Sequence, residues 1–166
     1  MKKALKKYGV GIVIGRFQPF HKGHAHLIDR ALRLCNKLII GIGSSNTIDK
    51  DNPFSYEKRL EMVTRFIENE KLQHRIEKIV PIPDVPNDDE WLKLTIKNAG
   101  KFDVALGNND WVNGIFKERG IGIIEFPFYK RHLLEGTKIR ELMQAGKKWQ
   151  DRVPSFLVKM INLYYG

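Results

Sequence analysis

Apolar runs that alternate with stretches of helical periodicity constrain this chain more than any other feature. "YGVGIVIG" (Tyr8 to Gly15), "KLIIGIGSS" (Lys37 to Ser45), "IEKIVPIPD" (Ile76 to Asp84), "FDVALGNND" (Phe102 to Asp110) and "IGIIEFPF" (Ile121 to Phe128) read as strands. Between them, His24 to Cys35 sets Leu27, Ile28, Ala31, Leu32 and Cys35 on one helical face. Ser55 can cap a helix from Tyr56 to about Asn69, in which Leu60, Val63, Phe66 and Ile67 recur at helical spacing. Shorter helices are expected around Trp91 to Asn98 and Trp111 to Arg119. Two more follow at Lys138 to Gln144, ended by Gly146, and at Ser155 to Tyr164, with Pro154 at the start. Strands that are continuously apolar and alternate with helices imply a parallel sheet covered on both faces. The expectation is therefore a Rossmann-like, doubly wound α/β fold with a mainly five-stranded parallel sheet and a small C-terminal helical segment. Over 166 residues, without internal repeat, low-complexity block or flexible linker, the chain reads as one domain.

Charge narrows the partners. Lys and Arg number 29 against 19 Asp and Glu, a formal net charge of +10, which favours a nucleotide, a phosphorylated metabolite or nucleic acid. No RNA- or DNA-binding motif and no aromatic-basic strand face supports the last, so nucleic acid is not expected as a partner. The opening "MKKALKKYG" reads as a basic, solvated tail over residues 1–7. It is not a secretory leader, because the apolar stretch after it is short and interrupted by Gly11 and Gly15. No run approaches the roughly 18 apolar residues of a membrane span. Cys35, the single cysteine, sits among Leu32, Leu34 and Leu38 as a buried thiol. Together these features point to a soluble, cytoplasmic protein with no membrane partner.

In an open parallel sheet, ligands bind beyond the carboxyl ends of the strands, where strand order reverses. The segments at those ends hold the chemistry. In "GRFQPFHKGHAHL", between the first strand and its helix, His21 and His24 stand three residues apart, Arg16 offers a planar fork and Gly23 keeps bulk away from the turn. A helix N-terminus adds its own preference for anions. That combination fits a polyphosphate cradle; His26 and Lys22 stand outside it, and His74 and His132 read as solvated or structural. A second anion site is expected in "LEGTKIR", with Thr137 as N-cap leaving backbone N–H groups open and Arg140 one turn later. Trp91, after the acidic "NDDE", can stack on a flat, electron-poor ring. Asn108 and Asn109, after the fourth strand, can meet nucleotide edges, and Arg131, after the fifth, a phosphate. "GIGSSN" imitates a dinucleotide fingerprint but lacks its third glycine and the closing acidic residue, which argues against a dehydrogenase.

"GRFQPFHKGH", with Gly15, Arg16, Phe17, Gln18, His21, Gly23 and His24, resembles the HxGH signature of the nucleotidylyltransferase superfamily. In its ten-letter form it is similar to the archaeal nicotinamide mononucleotide (NMN) adenylyltransferases. Gly136, Thr137 and Arg140 resemble the archaeal variant of that family's ISSTxxR segment, without its usual serine. Asn52, Pro53, Phe54 and Arg59 match the "NPFTAGER" stretch, and Gly43 and Ser44 match a segment beside the nucleotide ribose and phosphates. Trp91 falls where archaeal relatives carry the tryptophan for the nicotinamide. Asp88 stands where the pattern often has an asparagine contacting the base amide.

The resemblance implies AMP transfer from ATP to NMN, with His21, His24, Arg16 and Arg140 on the phosphates and no enzyme nucleophile. It also implies Mg²⁺ bound mainly through ATP oxygens, the C-terminal helices from residue 136 closing the ATP site, and a homo-oligomer, hexameric in archaeal relatives. Alternative readings are another HxGH enzyme (a pantetheine-phosphate adenylyltransferase, an FAD synthetase or a cytidylyltransferase) or a non-catalytic module binding nucleotide or nucleic acid.

Overall fold

The computed structural model describes residues 6–165; Lys2 and Lys3 of the basic tail lie outside them. The elements run β1 (Tyr8–Gly15), α1 (Lys22–Leu34), β2 (Cys35–Gly43), α2 (Tyr56–Asn69), β3 (Ile76–Ile82), α3 (Asp88–Ala99), β4 (Val104–Gly107), α4 (Asp110–Glu118), β5 (Ile123–Glu125), α5 (Gly136–Gln144) and α6 (Val158–Tyr165). Short 3₁₀ turns at Gln73–Arg75, Gln150–Arg152 and Ser155–Leu157 complete the series. All four strand pairings are parallel, in the order β3-β2-β1-β4-β5. The chain winds outward from β1 to β3, then returns to lay β4 on the other side of β1. Strand order therefore reverses between β1 and β4, and a crevice opens at their carboxyl ends.

Period-two alternation sorts the strand side chains into two apolar layers. Val13, Leu38, Ile40 and Ile42 face α1, α2, α5 and α6, while Ile12 and Ile39 face α3 and α4. Both faces of the central strands are covered, which is why β1 and β2 read as unbroken apolar runs. Among the described residues no helix is long and apolar enough to cross a membrane. Cys35 is fully buried, and burial, with the Asp103 carboxylate nearby, pushes its thiol up to about 11.

The sequence periodicity misplaces several ends, each for a local reason. Helix α1 starts two residues early because His21, not His24, is its N-cap: Nδ1 of His21 accepts from the Gly23 amide (3.0 Å) and Nδ1 of His24 accepts from the His21 amide (3.1 Å). This reciprocal pair is a capping box built from two imidazoles. Helix α3 begins at Asp88, since Asn87 caps the amides of Asp89 and Glu90. Strand β4 stops at Gly107 and the chain turns at Asn109, whose side chain caps α4 through the Val112 amide. Strand β5 is three residues long and is followed closely by Pro127, which has no N–H for a ladder. The Ser55 cap of α2 forms as expected, donated to by the Lys58 amide. The last helix is entered through the 3₁₀ turn after Pro154 rather than directly.

Candidate active site

Two clefts meet at the carboxyl end of β1. The first, of about 220 Å³, opens on the α1 and α5 side of the sheet. The second, of about 200 Å³, opens on the α3 and α4 side. Gly15, Arg16 and Asn109 line both. Two compartments that share one strand end and one guanidinium suit two phosphorylated ligands brought phosphate to phosphate.

In the first cleft, the turn from β1 into α1 supplies Phe17, Gln18, His21, Gly23 and His24. Phe17 leaves the strand with a positive φ of 53°, an uncommon backbone state for a bulky residue that recurs at functional sites. Its ring then packs on Phe20 and His24. The Gln18 amide locks the turn by exchanging two hydrogen bonds with the Phe54 backbone, at 3.0 and 2.9 Å. The imidazoles of His21 and His24 stack at 3.7 Å between ring centroids. Gly23 is required beside them, because a Cβ there would sit 2.8 Å from Cε1 of His21.

Those hydrogen bonds set the protonation of the pair. Each Nδ1 is an acceptor, so the neutral ring carries its proton on Nε2, the nitrogen left for a ligand. Burial and the Arg140 charge lower the pKa of His21 to about 4. Burial, and then His21, hold His24 well below the usual imidazole range. The histidines are thus neutral N–H donors at pH 7, and the positive charge comes from arginine.

Across the cleft, Gly136, Thr137 and Arg140 come from the first turns of α5. Arg140 donates to the Gln18 carbonyl (2.7 Å) and to Oγ1 of Thr137 (3.3 Å), which ties α5 to the β1 turn. A Cβ at position 136 would lie 2.9 Å from Nη1 of Arg140, so glycine lets this approach occur. Thr137 is not the N-cap: Glu135 holds that position with no side-chain cap bond, and the Thr137 hydroxyl serves Arg140 instead. Arg131 lines the same cleft, over the Phe128 ring at 4.0 Å and beside Glu135 at 3.8 Å; Asn108 completes it. Of the C-terminal helices, α5 reaches this cleft, whereas α6 packs against α2.

The second cleft joins Gly43 and Ser44, at the end of β2, to Trp91 on α3. It also contains two residues that the sequence motifs passed over, Asp84 and Trp111. The Asp84 carboxylate accepts from the hydroxyls of Ser44 (3.1 Å) and Thr47 (3.0 Å), fixing the β2 and β3 loops together. Trp111 leans on Trp91 with ring centroids 5.3 Å apart. Asp84 lies in the loop after β3 and Trp111 in the first turn of α4, just beyond β4, so the rule locating ligands beyond strand ends was the available signal.

Three expected contact residues line neither cleft. Arg59 is 0% exposed and bonds only carbonyls: Arg16 (2.8 Å), Gly43 (2.6 Å), Ser44 (3.0 Å) and, through Nε, Ser55 (3.3 Å). Burial, then the Arg16 charge, pull its pKa down to about 10. It is a strut that holds the ends of β1 and β2 in register. Asn52 is buried, accepts from Nη1 of Arg16 (3.3 Å) and is anchored in turn by Asp49. It orients Arg16 rather than facing the cleft. Asp88 is solvent-exposed in the first turn of α3, where its charge suits the helix N-terminus.

This fold, with two clefts meeting at the switch point of its sheet, places the chain among the α/β proteins that bind ligands beyond their strand ends. The chain belongs to the cytidylyltransferase-like family, whose model matches residues 12–142. Within it, similar proteins are nicotinamide-nucleotide adenylyltransferases. That of Thermoplasma acidophilum is 39% identical over 153 residues, covering 90% of this chain and 83% of the relative. That of Pyrococcus abyssi is 36% identical over 155 residues, covering 92% and 82%. Among solved structures, a bifunctional NMN adenylyltransferase/ADP ribose pyrophosphatase from Francisella tularensis superposes with a TM-score of 0.77 at 28% identity. The match covers 95% of this chain and about half, 51%, of that longer protein. The same protein in complex with AMP and a manganese ion matches with a TM-score of 0.71.

Proposed function

We infer that the chain transfers AMP from ATP to nicotinamide mononucleotide, giving NAD and pyrophosphate, as in NAD biosynthesis. The observation that carries this reading is the meeting of the two clefts at Gly15 and Arg16. ATP in the first cleft and a mononucleotide in the second bring the acceptor phosphate against the ATP α-phosphate. An oxygen of the NMN phosphate attacks that phosphorus in line, the bond to the bridging oxygen breaks, and its electron pair leaves with pyrophosphate. No enzyme nucleophile is needed, so the protein acts by positioning and charge stabilisation.

His21 and His24 donate Nε2–H to the ATP phosphates, and Arg16 and Arg140 neutralise charge that builds on the leaving group. The open N-terminus of α5, at Gly136 and Thr137, adds backbone N–H groups. Neutral imidazoles suit this role because they contribute donors without bringing two like charges together at 3.7 Å. Gly43, Ser44, Asn109 and Trp91 surround the mononucleotide; Asn108 and Arg131 face the adenylate. Among the described residues no group of three or more His, Cys, Asp or Glu side chains gathers to hold a metal. We propose that Mg²⁺ would be carried mainly on ATP oxygens, where the ion would neutralise phosphate charge. We further propose that the enzyme is cytoplasmic, forms a homo-oligomer, hexameric as in the resembling archaeal enzymes, and has no nucleic-acid partner.

The test is pyrophosphate release with ATP and, in turn, NMN, phosphopantetheine, FMN and a phosphorylated alcohol, with product masses measured. NMN alone is expected to give rapid release and the mass of NAD. Preferential turnover of another acceptor, or nucleic-acid binding without turnover, would replace the reading.

A further inference from the structure

Arg16 lines both clefts, yet its guanidinium is lightly held. The residue is solvent-exposed, and Nη1 donates to Oδ1 of Asn52 at 3.3 Å; among the described residues the guanidinium makes no other hydrogen bond. Two like charges push against it. After burial, the Arg16 charge is the largest cause lowering the pKa of both Arg59 and Arg140. A long, flexible cation beside two others gains both freedom and distance by turning into water. The Asn52 carbonyl oxygen opposes that escape.

An asparagine amide can present either end, and only its oxygen suits a guanidinium, which carries donors alone. Asp49, three residues earlier in the loop after β2, decides which end is presented. One oxygen, Oδ1 of Asp49, accepts from Nδ2 of Asn52 (3.0 Å), from the Asn52 amide (2.8 Å) and from the Asp51 amide (2.9 Å). The bond from the Asn52 side chain is the first cause holding the Asp49 carboxyl below its usual range. Asp49 and Asn52 also exchange backbone hydrogen bonds, both 3.2 Å, so the acceptor sits on a closed turn. With Nδ2 committed to Asp49, Oδ1 of Asn52 is left for Arg16.

We propose that Asp49 is a positioning residue for adenylyl transfer: it fixes the polarity of the Asn52 amide and thereby aims Arg16 at the junction of the two clefts. Asp49 itself lines neither cleft, so it acts through this relay. The assignment rests on Arg16 meeting the phosphates. It separates two properties of a carboxylate, because the relay needs an acceptor oxygen at this position and not a charge.

Asp49→Ala frees the Asn52 amide to turn its N–H groups toward Arg16. Its kcat for pyrophosphate release from ATP and NMN is expected to fall about tenfold, with Tm within about 4 °C of the wild type. Its affinity for inorganic pyrophosphate, measured by calorimetry, should weaken by a similar factor. Asp49→Asn keeps an oxygen where the three bonds meet and should stay within about threefold of the wild type in both quantities. Asn52→Ala removes the relay, so adding Asp49→Ala to it should change either quantity less than about twofold. Wild-type behaviour of Asp49→Ala, or effects of the two alanine substitutions that multiply, overturns the proposal. An Asp49→Asn enzyme as impaired as Asp49→Ala overturns it too, since charge rather than amide orientation would then be at work. A wild type that binds pyrophosphate with the expected pattern among the variants, but releases none from ATP and NMN, refutes adenylyl transfer and leaves the relay standing. A wild type that neither binds nor releases pyrophosphate refutes both.

Discussion

Gly23→Ala should damage catalysis while sparing the fold. The new methyl group would lie 2.8 Å from Cε1 and 2.9 Å from Nδ1 of His21, against the 3.4 Å at which ordinary contact begins, so the ring must retreat by about 0.6 Å. The retreat also stretches the 3.0 Å bond that His21 accepts from the Gly23 amide, and His21 stacks on His24, so both Nε2–H donors shift. Position 23 lies in the first turn of α1, where alanine is a better helix former than glycine by up to about 1 kcal/mol, which offsets part of the strain. Tm is expected to move by no more than about 4 °C. Misplacing a catalytic group by about 1 Å costs up to about 10²-fold, so this smaller displacement should lower kcat by about 10- to 100-fold. Pyrophosphate release at saturating ATP and NMN, beside a thermal melt, measures both quantities. A Gly23→Ala enzyme with wild-type kcat and a sharply lowered Tm would refute the argument, because it would make the glycine purely structural.

Two further perturbations probe the supports of the site. Between about pH 6.5 and pH 4, the unfolded chain takes up a proton at His21 that the native chain refuses, so stability falls as pH falls. The loss approaches about 3 kcal/mol for His21, and His24 adds in the same direction. Denaturant unfolding at pH 7 and 4.5 should show a smaller difference for His21→Asn, which keeps an acceptor for the Gly23 amide; an equal difference would disprove the assignment. Arg59→Met removes donors from four carbonyls and should cost about 3 kcal/mol or more while raising KM for both substrates, since Arg16 and Ser44 lose their anchor. A native Tm in that variant would mean that Arg59 is not a strut.

The sheet was legible in the sequence because buried parallel strands leave unbroken apolar runs, and "VGIVIG" and "KLIIGIG" are such runs. Edges and ends were less so: β5 shrinks to three residues at the sheet edge, and α1 and α3 begin where side-chain caps, invisible to periodicity, start them. The first cleft was readable from "GRFQPFHKGH" and "EGTKIR", since both segments carry their donors locally. What those letters could not show is protonation. The neutrality of His21 and His24 arises from burial and from the amides donating to each Nδ1. Similarly, Arg59 was expected at the nucleotide only because it matches the "NPFTAGER" stretch; its four carbonyl partners come from three separate segments, which no local stretch of letters displays. Asp84 and Trp111 lacked motif letters altogether and become visible when the loop after β3 and the start of α4 are brought to the same edge.

The central claim is that neutral imidazole donors stabilise adenylyl transfer, and His24→Gln tests it most directly. Glutamine at this third helical position can still accept from the His21 amide, preserving the cap that alanine would remove. With ATP and NMN, kcat for pyrophosphate release should fall by about 10²-fold or more, the scale of a preorganised donor removed from its place, because the glutamine N–H cannot hold the imidazole Nε2 position while its oxygen accepts from the His21 amide; Tm should stay near that of the wild type. A folded His24→Gln enzyme that releases pyrophosphate at the wild-type rate would contradict the account.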